Sequence, residues 1–147
     1  MMAVMVEPSL DFQTAIRARL IADPAVTALV QPDQIRSGST RPDGRACVIL
    51  SGAQTEYLGR ASGSQHVARV YLDAHIWAVE DGPDTAKAIG WAVMQALIGF
   101  DGTFDGTDGI AVDAFDQPRV IWLRDIMPEL SFVHGIMSLE SVIRWRF

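Results

Sequence analysis

The stretch HVARVYLDAHIWAV, His66 to Val79, alternates apolar and mixed residues without a break. In a β-strand successive side chains point to opposite faces. Ala68, Val70, Leu72, Ala74, Ile76 and Ala78 therefore share one face, and all are small or apolar. Val67, Arg69, Tyr71, Asp73, His75 and Trp77 share the other, which is mixed and partly aromatic. The first face predicts core. The second fits a sheet surface that meets water or a partner, with Arg69, Tyr71, Asp73, His75 and Trp77 as candidate contact residues.

Upstream, ACVILSG (Ala46 to Gly52) reads as a buried strand, and the polar LGRASGSQ (Leu58 to Gln65) would fold two strands back into a long hairpin. Nearer the N-terminus, Ser9 is placed to cap a helix whose apolar stripe is Phe12, Ile16 and Leu20, with Ala15 beside it. Asp23-Pro24 ends that helix and opens a short second one, with Ala25, Val26, Leu29 and Val30 on its buried side. Residues 31 to 45 are loop-like, apart from a short strand at Ile35-Arg36.

Downstream, EDGPDTAKAIGWAVMQALIGF (Glu80 to Phe100) predicts the second main helix. At 100° per residue its core stripe is Ala86, Ile89, Val93, Ala96, Leu97 and Phe100. Trp91, Met94 and Ile98 fall on the opposite side, beside Lys87. A helix that is apolar nearly all round is covered on both sides. In a chain this short the second cover is expected to be another subunit. Three strands follow: Ile110 to Phe115, Val120 to Arg124 and Gly135 to Phe147, with Asp116-Gln117-Pro118 as a hairpin turn between the first two. The last strand sets Met137, Leu139, Ile143, Trp145 and Phe147 against Ser138, Glu140, Arg144 and Arg146. The expected fold is α+β: a mostly antiparallel sheet with a long β-hairpin and two main helices packed on one face. Residues 1–147 are expected to form one domain, with 1–8 a flexible N-terminus.

At 147 residues, 49% hydrophobic and 20% charged, the chain can bury a core without metals or disulfides. A net charge of −6 argues against binding a nucleic-acid backbone by broad electrostatics. Cys47 is the single cysteine, so no internal disulfide can form. No signal peptide is expected in MMAVMVEP, and the apolar run Ala88 to Phe100 is too short to span a bilayer. The expected setting is soluble and intracellular, or an assembly built inside a cell. Eleven Arg against one Lys reflects mainly coding bias, and secondarily the enrichment of Arg at interfaces.

Chemical motifs are weak. FDGTFDGTDG, Phe100 to Gly109, brings Asp101, Asp105 and Asp108 onto one loop. Counted as a calcium loop from Asp101, it has Asp105 and Gly106 in place but Thr103 and Val112 where acidic ligands belong. A turn-rich connector explains it better. Asp73 and His75 share a strand face but lack further ligands at a metal-site spacing; His66 has the opposite parity and His134 stands apart in sequence. There is no nucleophile elbow, dinucleotide fingerprint or phosphate loop. Cys47, inside an apolar strand, reads as an inert small hydrophobe. No catalytic residue, metal ligand or cofactor is expected, and no enzyme class is supported.

The order of these elements resembles a known family. DFQTAIRARLIADPAVTALV, an Ile-Arg step, CVILSG, a Gly/Ser-rich hairpin, HVARVYLDAHIWA, a helix ending near QALIG and a closing Arg-containing strand (Val142 to Phe147) are similar to the tail-completion, or tail-terminator, proteins of long-tailed phages and gene transfer agents. The likeness spans roughly residues 9–147. One departure is RPDGRACVIL, where the family usually carries a Pro-aromatic step before the first core strand. The resemblance implies a structural virion protein that forms a sixfold ring at the head–tail joint. Such a ring caps the tail tube, binds the tube protein and the head-side connector, and lets DNA pass through its channel. Assembly would take place in the bacterial cytoplasm. Other roles left open are a neighbouring stopper or adaptor, a minor tail protein, or a small metal- or ligand-binding enzyme using Asp73, His75 and the Asp-rich loop. In the ring reading, Trp91, Met94 and Ile98, or the Arg69–Trp77 face, lie in subunit contacts. Asp101, Asp105 and Asp108 then lie at a rim or in the lumen.

Overall fold

The computed structural model describes residues 7–38, 42–79, 85–98, 110–125 and 131–146. Helix α1 (Pro8–Ala22) and the one-turn α2 (Pro24–Thr27) lead through a 3-10 turn (Pro32–Gln34) into β1 (Ile35–Ser37). Then come β2 (Cys47–Ala61), β3 (Gln65–Val79), α3 (Thr85–Leu97), β4 (Ile110–Phe115), β5 (Arg119–Asp125) and β6 (Phe132–Arg146). The sheet order is β1-β2-β3-β6-β4, with β5 also on β6. Among the described residues only β1–β2 is parallel, and every other pairing is antiparallel. The protein is thus α+β with a mostly antiparallel sheet. No helix among the described residues is long and apolar enough to cross a membrane.

Strand β3 is the spine of this sheet, paired along its length with β2 on one side and β6 on the other. Its even-numbered face is buried from Ala68 to Ala78, as the alternation requires. Against it lie Phe12, Ile16 and Leu20 of α1 and Ile89, Val93 and Leu97 of α3, in one cluster with Met137, Leu139 and Ile143 of β6. Full burial of each such side chain contributes on the order of 1.5–3 kcal/mol, so this helix-covered side carries most of the stability.

Four local expectations are corrected. Helix α1 is capped by Glu7 rather than Ser9. Pro8 suits the first helical position, so the helix starts early enough to take Ser9 inside it. Burial pushes the Glu7 carboxyl up, but hydrogen bonds from Ser9, Thr55 and Leu10 outweigh it and leave the group below the usual carboxylate range. The Thr55 hydroxyl donates to Glu7 Oε1 at 2.6 Å, tying the cap to β2. In α2 and the residues after it, Val26 and Val30 are buried, whereas Ala25 is exposed and Leu29 is 41% exposed. One turn of helix covers only one side.

The segment Leu58 to Gln65 is mostly strand: β2 continues to Ala61, and only Ser62 to Ser64 turn. Irregularities at Ser51/Gln54 and Tyr57/Gly59 absorb the polar, glycine-bearing residues. The reversal falls on Gly63 (φ 76°) and Ser64 (φ 61°). Finally, Asp116-Gln117-Pro118 is no hairpin turn. Strands β4 and β5 do not pair with each other; both pair with β6, at opposite ends of it. A strand of 15 residues offers about 50 Å of edge, enough for two short strands in succession. Pro118, with no N–H to donate, sits in the gap.

One contact fixes the gap between α3 and the sheet. The Trp122 indole lies between Gly90 of α3 and Gly135, its partner residue on β6. A Cβ on Gly90 would meet the ring at 2.8 Å, and one on Gly135 at 2.5 Å.

Candidate functional site

Two surfaces carry the candidate residues, one on each side of the sheet. On the helix side, α3 exposes Trp91 (67%) and Ile98 (49%), while Met94 is half-buried against the core. Lys87 is exposed as well. Residues 87, 91, 94 and 98 fall within about 60° of one another around a helix of 3.6 residues per turn, so they form one stripe. A tryptophan two-thirds in solvent is unusual, and with Ile98 it makes an exposed apolar patch.

The other surface is the sheet face opposite the helices, here called the outer face. Residues paired across strands share a face, so register gives its rows. One row is Cys47–Trp77–His134–Leu123, the next Ile49–His75–Ile136–Ile121, and the third Ser51–Asp73–Ser138–Arg119. The first two rows are apolar and aromatic. Cys47, Ile49, Trp77 and Phe132 form a small second core there. Ile121 and Leu123, 49% and 47% exposed, extend it towards solvent. The thiol of Cys47 is pushed up by burial to about 11, so it stays protonated and unreactive at neutral pH.

His134 is not isolated. Its ring stacks on Trp77 with centroids 3.7 Å apart and planes 9° apart. Its Nε2 lies 2.9 Å from His75 Nδ1. One imidazole N–H donates to the lone pair of the other, which requires at least one neutral ring. Burial pushes both histidines down; for His134 the neighbouring His75 adds to this and the value falls to about 4, against an upward pull from Asp125. Asp73 pulls His75 up. The unfolded chain, with ordinary values near 6.5, therefore binds protons that the folded one refuses. Stability should be level above about pH 6.5 and fall as the pH drops from there towards 4. Thermal melts at pH 7 and pH 4.5 check this: His134→Phe should lose less on acidification than the wild-type chain, and equal losses would remove the pair from the account.

Beyond these rows the outer face turns polar. Arg69 bridges Glu56 (3.6 Å) and Glu140 (3.3 Å), and the Arg144 guanidinium grips the Asp113 carboxylate at 3.0 Å. Exposed pairs of this kind contribute about 0–1 kcal/mol each. Where β4 gives way to β5, a notch of about 340 Å³ opens, lined by Tyr71, Asp73, Asp116, Arg119 and Glu140 among others.

Of the residues expected from the sequence, Arg69, Tyr71, Asp73 and His75 are half-buried on the outer face, and Trp91 and Ile98 are exposed on α3. Trp77, only 5% exposed, is largely used up inside the subunit. Asp101, Asp105 and Asp108 lie outside the described residues. Sequence reasoning missed Ile121, Leu123 and Asp116. The alternation in RVIWLRD already sets Ile121 and Leu123 on one face, but which face needed the β5–β6 register. Among the described residues, no group of three or more His, Cys, Asp or Glu side chains is placed to hold a metal ion.

A family model described as "Tail completion protein gp17" matches residues 14–128. No curated protein matches the sequence. Among solved structures, a chain from the "Virion of native gene transfer agent (GTA) particle" superimposes with a TM-score of 0.67. That match has 20% identity and covers 96% of this chain and 99% of the other. At that identity the likeness is one of fold.

Proposed function

Since the chain belongs to the tail completion protein gp17 family, we propose that this structural tail protein forms a ring that terminates the tail tube and joins it to the head-side connector. The observation that carries the proposal is the exposed apolar stripe of α3, with Trp91 at 67% exposure, opposite a second apolar strip at Ile121 and Leu123. A monomer with distinct apolar patches on opposite sides is suited to head-to-tail contact, and such contacts close into rings when the rotation per subunit divides a full turn. Six subunits is the number the family resemblance suggests. The tube protein, the head-side connector and passing DNA are the proposed partners, in the head–tail interface of a virion or virus-like particle. A net charge of −6 suits a channel that DNA slides through without tight phosphate contacts. Asp101, Asp105 and Asp108 are proposed for a rim or lumen position.

Mass photometry over a concentration series, alone and with purified tail tubes, tests this, alongside electron micrographs of tube ends. Rings in solution or on tube ends are expected. A chain that stays monomeric and leaves tube ends bare would remove the terminator reading in favour of a stopper, an adaptor or a minor tail component. The enzyme reading gains nothing from the geometry: His75 and His134 pair with each other, His66 stacks on Trp145, and the only cysteine is a buried thiol.

A further inference from the structure

We propose that the Lys87–Trp91–Ile98 stripe of α3 docks along the outer face of a second copy of this chain, with Lys87 entering the acidic notch and Trp91 and Ile98 covering Ile121 and Leu123. The inference rests on the ring reading and adds which surface meets which, and in what orientation.

Spacing is the first argument. A helix rises about 1.5 Å per residue, so Trp91 lies about 6 Å along α3 from Lys87 and Ile98 about 16 Å. A strand rises about 3.3 Å per residue. Measured from the Asp73–Ser138–Arg119 row at the notch, the Ile121 row lies about 7 Å away and the Leu123 row about 13 Å, in one direction. A helix laid along the strands thus brings its cation and its two apolar side chains over the notch and the two apolar rows in matching order.

Charge is the second argument, and it fixes the direction. The notch is lined by the carboxylates of Asp73, Asp116 and Glu140 against a single guanidinium, Arg119. Arg69 answers Glu140 but also Glu56, so the surroundings remain negative. Lys87 is the chain's only lysine and is exposed on the same stripe as Trp91. Reversing the helix would set Lys87 over Leu123 and Ile98 over carboxylates. The contact is heterologous, because the helix side of one copy meets the outer side of the next, so each subunit presents both halves.

Charge exchange on the full chain tests the pairing. Lys87→Glu and Asp116→Lys are both exposed changes, and circular dichroism should show unaltered folding. Each alone should weaken self-association about tenfold by replacing attraction with repulsion. Because every interface holds one Lys87 and one Asp116, the double variant carries the exchanged pair at every contact and should recover to within about threefold of wild type. A wild-type ring with undiminished assembly of Lys87→Glu, or a double variant no better than either single, overturns the pairing while the ring stands. Tube capture that depends on Lys87, without association between copies, assigns the stripe to the tube protein and also overturns it. A wild-type chain that forms no ring even with tubes removes the ring reading and the pairing together.

Discussion

Trp91→Asp should leave the subunit folded and abolish its assembly. The side chain is 67% exposed and lies outside the buried core, so monomer stability should change by no more than about 0.5 kcal/mol. At an interface, a tryptophan of this kind contributes about 2 kcal/mol or more, or roughly a 30-fold change in association constant for each contact. Aspartate adds the cost of desolvating a charge. In a closed ring the loss recurs at every contact, so assembly should disappear over the accessible concentration range. Sedimentation velocity of wild type and variant, with melting curves as a folding control, decides the matter. Retained rings would remove α3 from the interface. Met94→Asp is a poor substitute, because Met94 already packs against the core and its loss would disturb folding as well.

Gly135→Ala should destabilise the fold by roughly 1–3 kcal/mol, a large part of the usual 5–15 kcal/mol margin. The added methyl would meet the Trp122 ring at 2.5 Å, and the ring has nowhere to retreat because Gly90 closes its other side. The indole is rigid, so either β5 must lift off β6 or α3 must move outward. Trp122→Ala alone should cost about 3–5 kcal/mol. Together the two should cost much less than their sum, because the methyl then occupies space the ring has left. Denaturant titration of the four proteins in this cycle measures the coupling. An additive result would mean that the clash is not the cause.

Much of the core was readable from period alone. Alternation in His66 to Val79 and 100° spacing in residues 85–98 assigned the core faces of β3 and α3 and set Trp91 and Ile98 opposite the core stripe. These are local properties, set within one element by its own geometry. Contacts that depend on register were not readable. His75 and His134 lie 59 residues apart, and only the β3–β6 pairing brings their rings together. Likewise, nothing in GIMSLE or AIGWAV says that Gly135 and Gly90 share one tryptophan from a third element. The β4–β5 connection misled for a related reason: Asp-Gln-Pro between two apolar runs is turn chemistry, and no local cue tells a reversal from a break along a common neighbour.

That break has a consequence for how large an assembly can grow. An open sheet edge is a template that a further strand can extend, and growth by that route has no natural end. Among the described residues neither edge offers an uninterrupted template. On one side the backbone row passes from β4, with an irregularity at Val112/Ala114, across a proline-containing gap to β5. On the other, β1 covers only Val48 to Leu50, and the remainder of β2 carries two irregularities. In the proposed ring, association between copies would thereby be steered away from strand addition, which would give fibrils, and towards contacts between broad faces. Those contacts carry a fixed rotation and can be self-limiting.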